Sequence, residues 1–220
     1  MKKSHLSLLF FILLVTACSG NPEKTIANLK TAIDTESTAV SKYNAFAIQA
    51  KRDSLFPIEA LFKAVSKARS IHLQNHIAAL ASLGITDYPS NIAAYDVKST
   101  TENLQAAIDE DTHEFTITYP GFIKDAKKEN VKKAISSFTY AQKADKNHTR
   151  IFSYVLGNIK SPAVLAAVYY VCPECGNVFL GTTEKVCDIC RTVSDKFIGH
   201  SASATLQDAT SGATSRRMRE

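Results

Sequence analysis

The sequence has no apolar run long enough to cross a bilayer comfortably: the longest, Leu6 to Val15, falls well short of the roughly 20 residues a spanning helix needs. It also lacks a focused stripe of basic residues. The formal net charge is +5, but lysines and arginines are scattered among acids, and the densest basic run is Ser215-Arg216-Arg217-Met218-Arg219-Glu220 at the end. Nucleic acid is therefore not an expected partner. Cysteine is scarce, with five in 220 residues: Cys18 near the start and two Cys-x-x-Cys pairs. With Cys18 set aside, none remains for a disulfide separate from those pairs. The length allows one ordinary helical domain and a small appended module once a leader and a tail are set aside.

The leader carries Lys2 and Lys3, then the apolar stretch, then the small pair Thr16-Ala17 directly before Cys18. That is the pattern of a secretory signal. Val15-Thr16-Ala17-Cys18 resembles the lipobox at which bacterial lipoproteins are cleaved and acylated on the cysteine. Residues 1–17 are then a signal peptide and 18–24 a lipidated cysteine with a short linker. The expected location is the cell envelope, periplasmic side, with lipid membrane as a partner; the absence of Asp after Cys18 points to the outer membrane. A plain signal or a short anchor is the other reading of the same residues.

Apolar residues recur near a 3.6-residue period from Thr25 to Lys51, through Ile26, Leu29, Ile33, Val40, Tyr43 and Ala47. A second helix is predicted from about Pro57, acceptable in a first turn, to just before Gly84. Ile85 to Lys98 lacks a helical period and reads as a crossover loop. A third helix runs from Ser99 or Thr100 to about Lys127, and a fourth, after Asn130, carries Ile135, Phe138, Ala141, Ile151, Phe152 and Val155. Four helices with one long crossover predict a mostly α chain with a ferritin-like bundle over 25–156. After a linker at 157–167, Tyr169, Tyr170 and Val171 favour strand and open a module over 168–198. The tail, 199–220, is rich in Ser, Ala, Thr and Gly without aromatics and is expected to be disordered.

In that module Cys172-Pro173-Glu174-Cys175-Gly176 is followed, eleven residues after Gly176, by Cys187-Asp188-Ile189-Cys190. Two such knuckles present four thiolates to one tetrahedral metal, with Gly176 supplying the backbone freedom a tight knuckle needs. Iron and zinc both accept this geometry. Two disulfides within the same four cysteines are a competitor in an oxidising compartment, which the spacing disfavours. The string Tyr-Tyr-Val-Cys-Pro-Glu-Cys-Gly-Asn-Val-Phe, with Cys-Asp-Ile-Cys and Lys196-Phe197 after it, resembles the rubredoxin-like domain of rubrerythrins. That resemblance implies iron and one-electron transfer; a structural zinc ribbon is the alternative. The second knuckle, Cys-Asp-Ile-Cys-Arg, lacks the usual Pro and Gly.

The helical part carries an internal echo: Glu36 is followed by Arg69-x-x-His72, and Glu114 by Asp145-x-x-His148. An i, i+3 pair puts both side chains on one helix face, so Asp111 with Glu114, and Asp145 with His148, can converge inside a bundle. The strings around these residues, from Thr35-Glu36-Ser37 to Ala144-Asp145-Lys146-Asn147-His148, also resemble rubrerythrin, so the likeness covers nearly everything from Thr25 to Phe197 in family order. Carried over position by position, it makes Glu36, His72, Asp111, Glu114, Asp145 and His148 both the iron ligands and the catalytic set. Asp111 and Asp145 stand where the family usually has glutamate, and Arg69 stands where it has a bridging one. Two ferrous ions would balance the four carboxylates, and Arg69 would leave the site net positive. The alternatives are two further irons, a single iron or zinc, or none, with the Arg69 guanidinium either in one metal's place or swung outward along its long stem. His76, His113 and His200 show no such pairing and read as surface or core; Tyr43 reads as core.

The resemblance implies an oxidoreductase that reduces peroxide at the bundle, with electrons from an unidentified donor relayed through iron held by Cys172, Cys175, Cys187 and Cys190. It also implies a head-to-tail homodimer that brings the two sites close. The alternative is a non-catalytic metal-binding or partner-binding lipoprotein, with Arg69 displacing bundle iron and zinc in the cysteine module.

Overall fold

The computed structural model describes residues 21–201. The expected signal peptide, Cys18 and most of the tail lie outside the described residues. No helix among the described residues is long and apolar enough to cross a membrane. Two long helices, α1 (Glu23–Arg52) and α2 (Phe56–Ala81), form the first hairpin. The second comprises α3 (Thr100–His113), α4 (Tyr119–Lys128) and α5 (Lys132–Gly157).

Local chemistry sets these limits. Pro lies in the first turn of α2, and Gly84, with φ of 84°, ends the turn after it. Ser99 starts α3 with a capping box: its hydroxyl accepts from the Glu102 N–H while the Glu102 side chain accepts from the Ser99 N–H. The expected third helix is not uniform. Glu114–Thr118 forms a π turn between α3 and α4, in which the Tyr119 N–H reaches Glu114 O, five residues back.

Without secondary structure of its own, the crossover is tied to α1 by polar contacts. Tyr88 Oη donates to Asp34 Oδ2 at 2.7 Å, the Asn91 N–H to Asp34 Oδ1 at 2.8 Å and the Ala93 N–H to Thr38 Oγ1 at 3.0 Å. The buried apolar residues fall into two clusters, one around Tyr43, Phe46, Phe62 and Phe152, the other around Leu29, Ile33, Phe138 and Tyr119. Glu36 lies on α1 between them, so the polar centre sits in a zone closed by hydrophobic layers at both ends.

The C-terminal module is a three-stranded antiparallel sheet of order β2-β1-β3, with β1 Val168–Val171, β2 Val178–Leu180 and β3 Ile198–Ser201. The strand β3 runs past the boundary at 198 expected from composition, because Val168 pairs with Ser201 and Tyr170 with Gly199. The first knuckle leans against the bundle. Asn75 Nδ2 donates to Glu174 O at 2.9 Å and Asn147 Nδ2 to Val178 O at 2.7 Å.

The two knuckles solve one backbone problem differently. Gly176 has φ of 73° and Arg191, at the equivalent place in the second knuckle, has φ of 67°. The missing second glycine is thus tolerated by an arginine in the left-handed region, at a small local cost. Gly176 is not replaceable in this way, since a Cβ there would collide with His72 Nε2 and lie 2.9 Å from Ala68 O. Gly176→Ala is expected to destabilise the folded chain by about 1–3 kcal/mol, while Arg191→Gly changes stability by less than about 1 kcal/mol. Urea denaturation of both variants checks this, and equal losses would refute the distinction.

Candidate metal centres

The expected bundle residues do converge. Glu36 comes from α1, Arg69 and His72 from α2, Asp111 from α3, Glu114 from the π turn, and Asp145 and His148 from α5. Glu36, Asp111, Asp145 and His148 are wholly buried, Arg69 and His72 nearly so, and Glu114 is 13% exposed. The i, i+3 reading of α5 holds, with His148 Nδ1 at 3.5 Å from Asp145 Oδ1.

Arg69 is not swung outward. Its Nη1 donates to Glu114 Oε2 at 2.7 Å and to Glu36 Oε1 at 3.3 Å, and lies 3.3 Å from Asp145 Oδ1. Its Nη2 donates to Asp111 Oδ1. One guanidinium therefore touches all four carboxylates, which offset the burial that would otherwise favour its neutral form.

The two halves of the centre differ in what is left unpaired. On the His72 side Glu36 is saturated: its Oε1 accepts from Tyr119 Oη at 2.7 Å and from Arg69, and lies 3.2 Å from His72 Nδ1. Burial alone would raise the Glu36 pKa, but Arg69 and His72 beside it hold the carboxyl well below the usual range. On the His148 side, Asp111 Oδ2, both oxygens of Asp145 and His148 Nδ1 are buried without a hydrogen-bond partner. Burial pushes Asp111 up to about 7 and Asp145 well above the carboxylate range, with Arg69 opposing both. Such orphaned acceptors are costly unless a cation joins them. Ligand atoms of Asp111, Asp145 and His148 lie within 4.8 Å of one another, so this half fits a metal ion.

The four cysteines form the second centre. Their sulfurs also fall within 4.8 Å of one another, with Cys172 Sγ 3.4 Å from Cys190 Sγ and Cys175 Sγ 3.5 Å from Cys187 Sγ. All four are free thiols, and the separations exceed a disulfide bond by more than an ångström. Matching backbone bonds close each knuckle: Gly176 N–H to Cys172 O at 3.0 Å, and Arg191 N–H to Cys187 O at 2.9 Å. This is a four-thiolate metal site.

The centres meet within one chain. His72 Nε2 donates to Cys175 O and His148 Nε2 to Gly176 O, each at 3.1 Å. Those bonds turn both Nδ1 atoms toward the carboxylates, the tautomeric control a histidine ligand needs. This proximity lies within one chain. Three residues assigned to core or left unassigned also face the bundle centre or its neighbours. Tyr119 Oη bonds Glu36, Tyr43 Oη donates to Asp111 Oδ1 at 3.1 Å, and His76 Nε2 is 3.4 Å from Tyr119 Oη. His76 follows His72 by four residues, a same-face spacing that signals its direction; Tyr119 is brought round by the π turn, which no uniform helical period reveals.

Carboxylates and histidines turned inward from a helical bundle, joined to a four-thiolate knuckle module, define a non-haem metal protein of ferritin-like build. The family model described as Rubrerythrin matches residues 27–156. Rubrerythrin-2 of Clostridium acetobutylicum is 31% identical over 173 residues, covering 77% of this chain and 92% of that protein. Nigerythrin of Nitratidesulfovibrio vulgaris is 31% identical over 176 residues, 80% of this chain and 86% of its own length. A solved structure titled as its fully reduced, all-ferrous state superposes with a TM-score of 0.75, over 80% of this chain and 86% of that one. The chain belongs to the rubrerythrin family. A bacterioferritin structure from Desulfovibrio desulfuricans, 16% identical with a TM-score of 0.60 over 64% of this chain and 83% of its own, shares the fold alone.

In the metal-free protein, Arg69→Met removes the guanidinium touching four acids, three of them wholly buried, and leaves them facing one another. A loss of about 3–5 kcal/mol in urea denaturation is expected; a change under about 1 kcal/mol would show that Arg69 does not hold the centre together.

Proposed function

We propose that this chain is a rubrerythrin-type non-haem iron oxidoreductase that reduces peroxide, with one iron in the four-cysteine site and one in the His148 half of the bundle centre. Iron, if bound by these residues, would supply one-electron redox chemistry at each place. The observation that carries this reading is the contact between His72, His148 and the first knuckle: two histidines of the bundle centre are hydrogen bonded to the backbone of Cys175 and Gly176. Such a connection suits passage of single electrons from an external donor through the sulfur site. Membership of the rubrerythrin family supports the same chemistry.

The chain's own residues have defined parts in it. Asp111, Asp145 and His148 would hold the bundle metal, with Glu114 beside them on Arg69, and Cys172, Cys175, Cys187 and Cys190 would hold the other. Arg69 occupies the remaining half, paired with Glu36, and contributes fixed positive charge beside the metal ligands. A cavity of about 230 Å³, lined by Thr35, Thr38, Lys42 and Asn91, reaches Arg69 and Glu114. It is large enough for peroxide and ends at the one carboxylate of the cluster that is not fully buried. The hydrophobic clusters above and below the centre exclude water from the other directions. Acylation at Cys18 would tether the protein to the envelope membrane on its periplasmic side, the outer membrane being the location the residue after Cys18 favours.

Metal analysis of the anaerobically purified chain, with its visible spectrum before and after oxidation, tests this. Two irons per chain are expected, with thiolate-to-iron charge-transfer bands on oxidation. Arg69→Glu, which replaces the cation with a carboxylate, is expected to raise the count to three. Three irons in the unaltered protein would overturn the single bundle iron, and zinc alone would overturn the oxidoreductase reading.

A further inference from the structure

Charge is distributed unevenly over the helices. The helix α3 carries four acids and neither lysine nor arginine, whereas residues 124–133, where α4 turns into α5, carry five lysines. Cations at a helix C-terminus suit the helix dipole, which accounts for Lys127 and Lys128. Lys132 and Lys133 open α5, whose first turn holds no acid, and there the dipole disfavours them. All four are exposed, and among the described residues none of them is held in an ion pair. The turn that carries them is fixed: Asn130 has a left-handed φ of 56°, the Val131 N–H donates to Ala126 O at 2.9 Å, and the Val131 side chain is buried in the cluster that holds Ala126 and Leu29.

This turn abuts the start of α1. Glu129 accepts from the N–H groups of Lys24 and Thr25, at 3.1 and 2.7 Å, and Asp125 accepts from Asn28 Nδ2 at 3.2 Å. Those bonds engage the two acids of the lysine-rich segment and bring exposed Lys24 to the same surface, with Glu23 as the acid of the first turn of α1. Cys18 stands five residues before Glu23, a reach of at most about 18 Å.

We propose that Lys24, Lys127, Lys128, Lys132 and Lys133 form a surface that rests on anionic phospholipid headgroups and sets how the bundle stands on the membrane. Its use depends on the acylation of Cys18 proposed above. An acyl anchor so near holds this end of the bundle within reach of the headgroups, where clustered lysines gain from the negative surface potential. The anchor by itself leaves the chain free to pivot, and cations spread over three helix ends give it one resting face. Along α5, His148 lies about 22 Å beyond Lys133. The sulfur module hydrogen bonded to His148 then stands clear of the headgroups and open to a donor. Thr35, which lines the cavity ending at Arg69, lies about 18 Å beyond Glu23 along α1 and is clear as well.

The test uses the full chain purified from its expressing cells and mixed with vesicles of phosphatidylcholine, alone or with phosphatidylglycerol. An amine-reactive ester labels the lysines, and mass spectrometry reads each of them together with the mass on Cys18. The five lysines are expected to lose labelling on the order of fivefold on the phosphatidylglycerol vesicles, while exposed Lys51 and Lys160 label equally on both. Salt at about 1 M, which shortens the screening length to about 3 Å, is expected to restore labelling. Combining Lys127→Glu, Lys128→Glu, Lys132→Glu and Lys133→Glu is expected to abolish the protection of Lys24 with iron content unchanged. Equal labelling of the five on both kinds of vesicle refutes the headgroup surface, whether or not Cys18 is acylated. Protection by phosphatidylglycerol without an acyl chain on Cys18 sinks the tether and supports the surface.

Discussion

Four carboxylates held inside one helical bundle repel each other and lose their hydration, and the contact that makes this arrangement tenable is the Arg69 guanidinium. It reaches Glu36, Asp111, Glu114 and Asp145 from a single position on α2. A planar fork of donors suits such a task, because it bonds several oxygens in fixed directions and stays protonated under burial. A metal ion in the same place would draw the same oxygens inward. The arginine therefore preserves the geometry of a bundle centre while using up the half of it nearest Glu36, and the orphaned oxygens and ring nitrogen collect on the half nearest His148.

That asymmetry shapes what the rest of the centre does. Glu36 is saturated by Arg69 and Tyr119, and His76 lies behind Tyr119. Asp145 and His148, unsaturated, face the metal position and, through His148 Nε2, the Gly176 carbonyl. The sulfur module is fixed to the bundle by the very histidines that line the centre, so its position and theirs are set together. Gly176 permits the close approach: without a Cβ, the backbone of the knuckle reaches the imidazole of His72 directly.

Much of this was legible in the residues themselves. The 3.6-residue period of Ile26, Leu29 and Ile33 marks α1 because burial of one face repeats with the helical turn, and α2, the crossover and α5 follow from equally local rules. The paired Cys-x-x-Cys knuckles announce a tetrahedral site because their ligands are neighbours in sequence. The ligand set of the bundle came from resemblance, and its convergence depends on four helices meeting. Two features escaped local rules. The π turn at Glu114–Thr118 adds a residue to a helical turn and swings Tyr119 to the side of Glu36, so a uniform period assigns it elsewhere. The strand β3 reaches Ser201 because a long-range pairing with Val168 overrides a composition that favours no order.

The sequence by itself determined the long helices, the crossover, the four-thiolate donor set and the presence of a cation among acids, since each depends on residue type and short spacing. Only the tertiary structure decided which way Arg69 points, which half of the bundle centre keeps unpaired donors, and that the two centres touch within one chain. Those outcomes depend on distances between side chains far apart in sequence, as between Glu36 and Tyr119 or His148 and Gly176. Burial and long-range packing set such distances, and no local pattern encodes them.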